Sequence, residues 1–156
     1  GMGPIVETAQ AIDAAGTDAE LVVVTGRNAA LKAALEGCAW RRPARIYGFV
    51  DNMQVFMRAA DLLITKAGPA TITEAAVVGT PMVLSDAIPY QETPNAEYVV
   101  RQRAGVYAPG PDKVAASVAR LLADGGAGLQ VLSQGVTRLA QPDAIWNIAD
   151  EIHAFA

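Results

Sequence analysis

The segment Lys66-Ala67-Gly68-Pro69-Ala70-Thr71-Ile72-Thr73-Glu74 interrupts a chain rich in Ala and Val, and its chemistry suits an anion. It ends an apolar run and delivers the backbone to a helix. The first free N–H groups there, near Ala70, Thr71 and Ile72, together carry about half a positive charge. Gly68 lets backbone approach a ligand closely, Pro69 restrains the turn, and the small Ala70 keeps the mouth open. A phosphate fits. Two uses of the following residues stay open. Thr71 and Glu74 have the spacing of a capping box, with Thr71 as N-cap and Glu74 folding back onto its N–H, worth about 1 kcal/mol. Alternatively, the Thr71 hydroxyl and the backbone N–H groups meet phosphate while the Glu74 carboxylate takes two vicinal hydroxyls, such as those of a ribose. Neither G-x-G-x-x-G nor G-x-x-x-x-G-K-[ST] occurs, which argues against a nicotinamide cofactor and against ATP hydrolysis.

A second polar stretch, Asp86-Ala87-Ile88-Pro89-Tyr90-Gln91-Glu92-Thr93-Pro94-Asn95, follows the next apolar run. Gln91, Glu92 and Asn95 suit sugar hydroxyls, because amides and carboxylates accept, and amides also donate, with little net charge. The plainer reading makes Thr93 an N-cap with Pro94 at N1, and leaves Gln91, Glu92 and Asn95 solvated.

The elements that must hold these residues are short. Apolar runs at 21–25 (LVVVT), 45–50 (RIYGFV), 61–65 (DLLIT), 81–85 (PMVLS) and 104–108 (AGVYA) are continuous and not alternating, which suits strands buried on both faces. Helices are predicted between them at 4–15, 27–36, 52–59, 71–78 and 92–103, and after them at 112–123, 127–139 and 142–155, with Gly125-Gly126 as a loop. Such alternation predicts an α/β fold, a Rossmann-like doubly wound parallel sheet whose ligand crevice lies at the carboxyl ends of the strands. Both polar stretches fall at such ends, as do Gly26-Arg27-Asn28 and Asp51-Asn52-Met53.

The 156 residues make one domain. With 52% hydrophobic and 18% charged residues the chain reads as a packed globular protein, and no apolar run approaches a membrane span. A net charge of −4 argues against nucleic acid as a partner. The lone Cys38 and the lack of a secretory pattern predict a reducing, cytoplasmic setting. The opening Gly1-Met2-Gly3-Pro4 runs straight into a helix, as expected of a piece of a larger protein cut just after a strand.

Three motifs in order, Gly48-Phe49-Val50-Asp51-Asn52-Met53, Lys66 to Glu74, and Pro89-Tyr90-Gln91-Glu92 to Asn95, resemble the C-terminal domain of GT-B glycosyltransferases. The match is to the monogalactosyldiacylglycerol synthase type of family 28, related to the N-acetylglucosaminyltransferase that completes lipid II. It runs from Gly1 to about Ala108, with a weaker match beyond. The resemblance implies a UDP-sugar donor site. Phe49 and Val50 would meet uracil through backbone groups with Met53 packing nearby. Gly68, Ala70 and Thr71 would hold the diphosphate, Glu74 the ribose hydroxyls, and Gln91, Glu92 and Asn95 the donor hexose. Gly1 and Gly3 resemble the end of the family's glycine-rich loop near the phosphates. Arg27 is a further phosphate candidate, or a solvated arginine at a helix start.

The resemblance further implies a hexosyltransferase acting on a diacylglycerol-type lipid, with UDP-sugar as substrate and no cofactor. The acceptor groove and general base would lie in an N-terminal domain outside this chain. The full enzyme would be peripheral at the cytoplasmic membrane face. A helix N-terminus can stabilise departing UDP without a metal, and the chain has no Asp-x-Asp pair and too few His and Cys for a zinc site. His153 reads as a surface residue. The alternatives are a lipid II type transferase, a UDP-N-acetylglucosamine epimerase, and a noncatalytic α/β interaction module whose caps mimic a site.

Overall fold

The computed structural model describes residues 3–155, so Gly1 and its loop assignment lie outside the described residues. The order is α1 (Ile5–Ala14), β1 (Leu21–Val24), α2 (Ala29–Glu36), β2 (Ala44–Tyr47), α3 (Met53–Ala59), β3 (Leu63–Lys66), α4 (Pro69–Val78), β4 (Met82–Asp86), α5 (Thr93–Arg101), β5 (Gly105–Tyr107), α6 (Pro111–Leu139) and α7 (Ala144–Ala154). Each predicted strand and helix is present. Both faces are covered at Met82, Val83 and Leu84 of β4, whereas Val22 of β1 (49% exposed) and Arg45 of β2 lie on an exposed face, so the burial on both faces expected of every run is found in β4 and not in the β1–β2 pair.

All strand pairs are parallel, in two groups: β1 with β2, and β3-β4-β5 with β4 in the middle. The single sheet expected from the alternation is thus observed in two pieces, with β1 and β3 not bonded to each other. Leu21 of β1 and Ile64 of β3 pack against the same α1 and α6 cluster, which sets β1 toward the second group.

β4 shows why the sheet is wound on both sides. Met82 and Leu84 point into a core made with α4, α5 and the end of α6 (Ile72, Ala76, Val99, Val136), while Val83 points into the opposite core with α1 and the earlier part of α6 (Ile12, Val114, Val118). Alternate side chains of one strand therefore serve two helical layers. All three are fully buried.

α6 reaches both layers because it is broken. Asp124, Gly125 and Gly126 take left-handed φ of 53°, 68° and 79°, a conformation that glycine adopts without strain. The loop expected at Gly125-Gly126 is this break. α7 contributes to neither layer. It covers no part of the sheet: none of its side chains is buried, and Ile145, Trp146, Ile148 and Ile152 are exposed. Helical spacing of apolar residues specifies an apolar face but not what lies against it. Among the described residues no helix is long and apolar enough to cross a membrane.

Candidate functional site

α4 starts two residues earlier than predicted. Gly68, extended at φ −71° and ψ 132°, is the N-cap and Pro69 opens the helix. Pro fits there because its missing N–H would be an orphan anyway and its φ is preset. The first helical bond runs from the Ile72 N–H to the Gly68 carbonyl at 3.1 Å, so the amides of Ala70 and Thr71 precede the ladder and face the strand ends. This start removes the capping box: Thr71 lies inside the first turn and Glu74 in the second. Among the described residues the Thr71 hydroxyl and the Glu74 carboxylate have no protein partner. Ala70 and Glu74 are exposed, Thr71 half-buried.

The loop before α5 is closed by a reciprocal clasp. The Glu92 N–H donates to the Ile88 carbonyl (2.8 Å), and the Ile88 N–H donates to Glu92 Oε2 (3.1 Å). Glu92, and not Thr93, is the N-cap position. Its other oxygen, Oε1, receives Lys66 Nζ at 2.6 Å, with the carboxylate side chain 5% exposed. Asn95 Nδ2 donates to the Ala67 carbonyl at 3.1 Å. Glu92 and Asn95 therefore tie the sugar-type loop to the phosphate-type loop and are not simply solvated. Gln91 is exposed, beside Tyr90 at φ 65° and 97% exposure.

Arg27 and Phe49, at the ends of β1 and β2, meet: the guanidinium lies 5.0 Å from the ring centroid in a cation–π contact. Phe49 is 62% exposed and Val50 half-buried, and Met53 opens α3. Gly3 is exposed at φ 93° just before α1. The candidates thus form two clusters at carboxyl ends of strands, Arg27-Phe49 and the α4 mouth with Glu92 and Asn95. A separate depression of about 380 Å³, lined by Gly79, Pro81 and Gly125 among others, lies toward the opposite ends of β3 and β4 and holds none of them.

Residues 4–130 match the model for the glycosyltransferase family 28 C-terminal domain. The chain belongs to that family. Curated relatives agree. Rice (Oryza sativa subsp. japonica) "Probable monogalactosyldiacylglycerol synthase 2, chloroplastic" is 41% identical over 160 residues, covering 98% of this chain and 34% of the relative. Monogalactosyldiacylglycerol synthase 3, chloroplastic, of Arabidopsis thaliana is 38% identical over 98% of this chain and 34% of its own length. The family 28 chain thus spans about a third of the length of these relatives. Among solved structures, Acinetobacter baumannii MurG superposes with a TM-score of 0.73 at 20% identity over 96% of this chain and 46% of that one. The glycosyltransferase VinC in complex with DTDP superposes at 0.70 and 18% over 99% and 38%. The fold is that of GT-B glycosyltransferases. The relatives' chloroplastic names overturn the expected cytoplasmic setting and cytoplasmic membrane face, and point to the chloroplast. A lone cysteine reports the redox state of a compartment and not its address.

Within this family 28 domain the residue that sequence reasoning missed is Lys66. Its charge at a strand end was visible, but its partner is 26 positions away and becomes a neighbour only when β3 and β4 pair. The Lys66 ammonium and the Ile88 N–H hold the Glu92 carboxyl below the ordinary glutamate range. A carboxylate depressed in the folded state contributes stability that is fully present above its unfolded pKa and is lost as pH falls through the folded one. Thermal unfolding of the wild type should therefore show a loss of melting temperature as pH drops below the usual glutamate range, and Glu92→Gln should flatten that part of the profile. Parallel profiles for the two proteins would count against the linkage.

Proposed function

We propose that this chain is the donor-binding half of a transferase that moves a hexose from a UDP-sugar to a diacylglycerol-type lipid. The observation that carries the reading is the α4 mouth at a strand end, where the Ala70 and Thr71 amides, the Thr71 hydroxyl and the Glu74 carboxylate have no protein partner among the described residues. Family membership and relatives named as monogalactosyldiacylglycerol synthases support it.

In this reading the amides of Ala70 and Thr71 take the diphosphate, Gly68 lets the ligand approach closely because it has no side chain, and Gly3 and Arg27 are further phosphate contacts. Backbone groups of Phe49 and Val50 meet uracil over Met53, and Glu74 takes the ribose hydroxyls. Gln91 and Asn95 line the hexose side, with the buried Glu92, both of whose oxygens are already engaged, forming the wall behind them. As the glycosidic bond breaks, negative charge grows on the departing diphosphate. N–H groups already aimed at it stabilise that charge without reorganising. No cofactor is called for, because the helix N-terminus supplies this positive potential. The acceptor, the base that deprotonates it and the contact with a chloroplast membrane belong to parts of the protein outside these residues. A strand supplied from outside them, between the unbonded β1 and β3, would join the two pieces of the sheet.

Calorimetry on the 156-residue chain tests the reading. UDP should bind about tenfold or more tightly than UMP, since the second phosphate gains charge-assisted bonds at the helix start. Treatment with EDTA should leave that affinity unchanged. Sugar transfer to diacylglycerol by this chain alone should be negligible. Absence of heat with UDP would favour the noncatalytic interaction module instead.

A further inference from the structure

The α4 mouth contains a charge conflict. Glu92 Oε1 lies beneath Gly68: a Cβ built on that glycine would be 3.7 Å from it. A buried carboxylate thus sits against the N-cap of the helix that has to receive an anion. Two negative groups at one helix start repel each other, and low solvent access weakens the screening that would mask this. What stands against the repulsion is Lys66, whose ammonium is 2.6 Å from Oε1 and whose side chain remains 35% exposed toward the strand ends. The pair is electrically neutral as a unit. Asn95 Nδ2, bonded to the Ala67 carbonyl, fixes the backbone between Lys66 and Gly68 from the same side.

We propose that Lys66 is a positioning residue of the donor site: it neutralises and holds Glu92 in the wall between the diphosphate loop and the hexose loop. Without it the α4 mouth turns from accepting a diphosphate to rejecting one. This rests on the nucleotide-sugar reading above. It adds a specific electrostatic dependence. The diphosphate is sensitive to the ammonium, whereas the nucleoside, held at β2 and by Glu74, is not. Removing both charges together should leave the mouth nearly as receptive as the wild type, and removing only the carboxylate should free the ammonium for phosphate.

The experiment is calorimetry with UDP and with uridine on wild type, Lys66→Met, Lys66→Arg, Glu92→Gln and the double variant Lys66→Met/Glu92→Gln, each checked by thermal unfolding. The expected result is that Lys66→Met weakens UDP by about tenfold or more while changing uridine by less than about twofold. Lys66→Arg and the double variant should each restore UDP to within about threefold of wild type, and Glu92→Gln should bind UDP more tightly with a steeper salt dependence. An equal loss for UDP and uridine in Lys66→Met would make the residue merely structural and overturn the proposal. So would wild-type UDP affinity in Lys66→Met, or UDP affinity in the double variant as weak as in the single one. Should Lys66→Met fail to fold because a buried carboxylate is left unpaired, the double variant and Glu92→Gln carry the decision, since neither leaves such a charge. Wild-type protein that binds neither ligand would instead sink the donor reading itself.

Discussion

Glu74→Ala should lower the affinity of the chain for UDP by about 10- to 100-fold, the loss of charge-assisted bonds from one carboxylate to two hydroxyls. Its melting temperature should hardly move. Glu74 is exposed, sits in the second turn of α4, and has no protein partner among the described residues, so truncation removes no fold-stabilising contact. Alanine is also the better helix former. Surface changes of this kind stay within about 0.5 kcal/mol. The alternative role, a capping-box partner to Thr71, would give the opposite pattern: unchanged UDP binding with about 1 kcal/mol of stability lost. The observed N-cap at Gly68 already speaks for the first pattern, and paired titration and unfolding of the two proteins decide it. UMP separates the contributions further. It carries the same ribose, so Glu74→Ala should weaken UMP by a similar factor, whereas changes at the diphosphate mouth should weaken it less than UDP, because it has one phosphate in place of two.

The largest stability effect should come from a glycine far from the crevice. In α6, a Cβ on Gly135 would lie 2.0 Å from the Arg103 carbonyl oxygen and 2.7 Å from that of Gln102. Both are backbone atoms of the turn between α5 and β5, and that turn is already constrained by Arg103 at φ 56°. Neither side can rotate away as a side chain could. Gly135→Ala must push the end of α6 off the core layer in which Val136 and Leu139 meet Ala96 and Val99 of α5. The expected cost is about 3–5 kcal/mol, at the upper end for single substitutions because overpacking and loss of apolar burial act together. Denaturant unfolding should show a lower midpoint at unchanged slope. A midpoint equal to wild type would mean that the helix end is free to shift, and the close approach would then have no energetic weight. Since α5 carries Asn95 in its first turn and follows directly on Glu92, partial loosening of this layer should also weaken UDP-sugar binding more than UDP binding.

Much of the architecture was legible in the sequence because it is local. Short apolar, β-branched runs such as LVVV and MVL favour strands whatever lies around them, and strands alternating with helices leave a parallel, doubly wound arrangement as the compact solution. The turn from β3 into α4 was legible for the same reason, since a strand end, Gly68, Pro69 and small residues at a helix start are contiguous, although the helix begins two residues earlier than the expected cap at Thr71. The family motifs lay in the same contiguous stretches.

What tertiary structure decided are the relations between segments. The Lys66–Glu92 and Asn95–Ala67 bonds join residues 26 and 28 positions apart, and the Arg27–Phe49 stack joins the ends of two strands. No spacing rule encodes such pairs, since they arise only after parallel pairing brings separate strand ends to one edge. The N-cap at Gly68, the opening between β1 and β3, and the bare face of α7 are of the same kind. Periodicity states which residues share a face, but the free energy that chooses its neighbour comes from packing against chain that is distant in sequence.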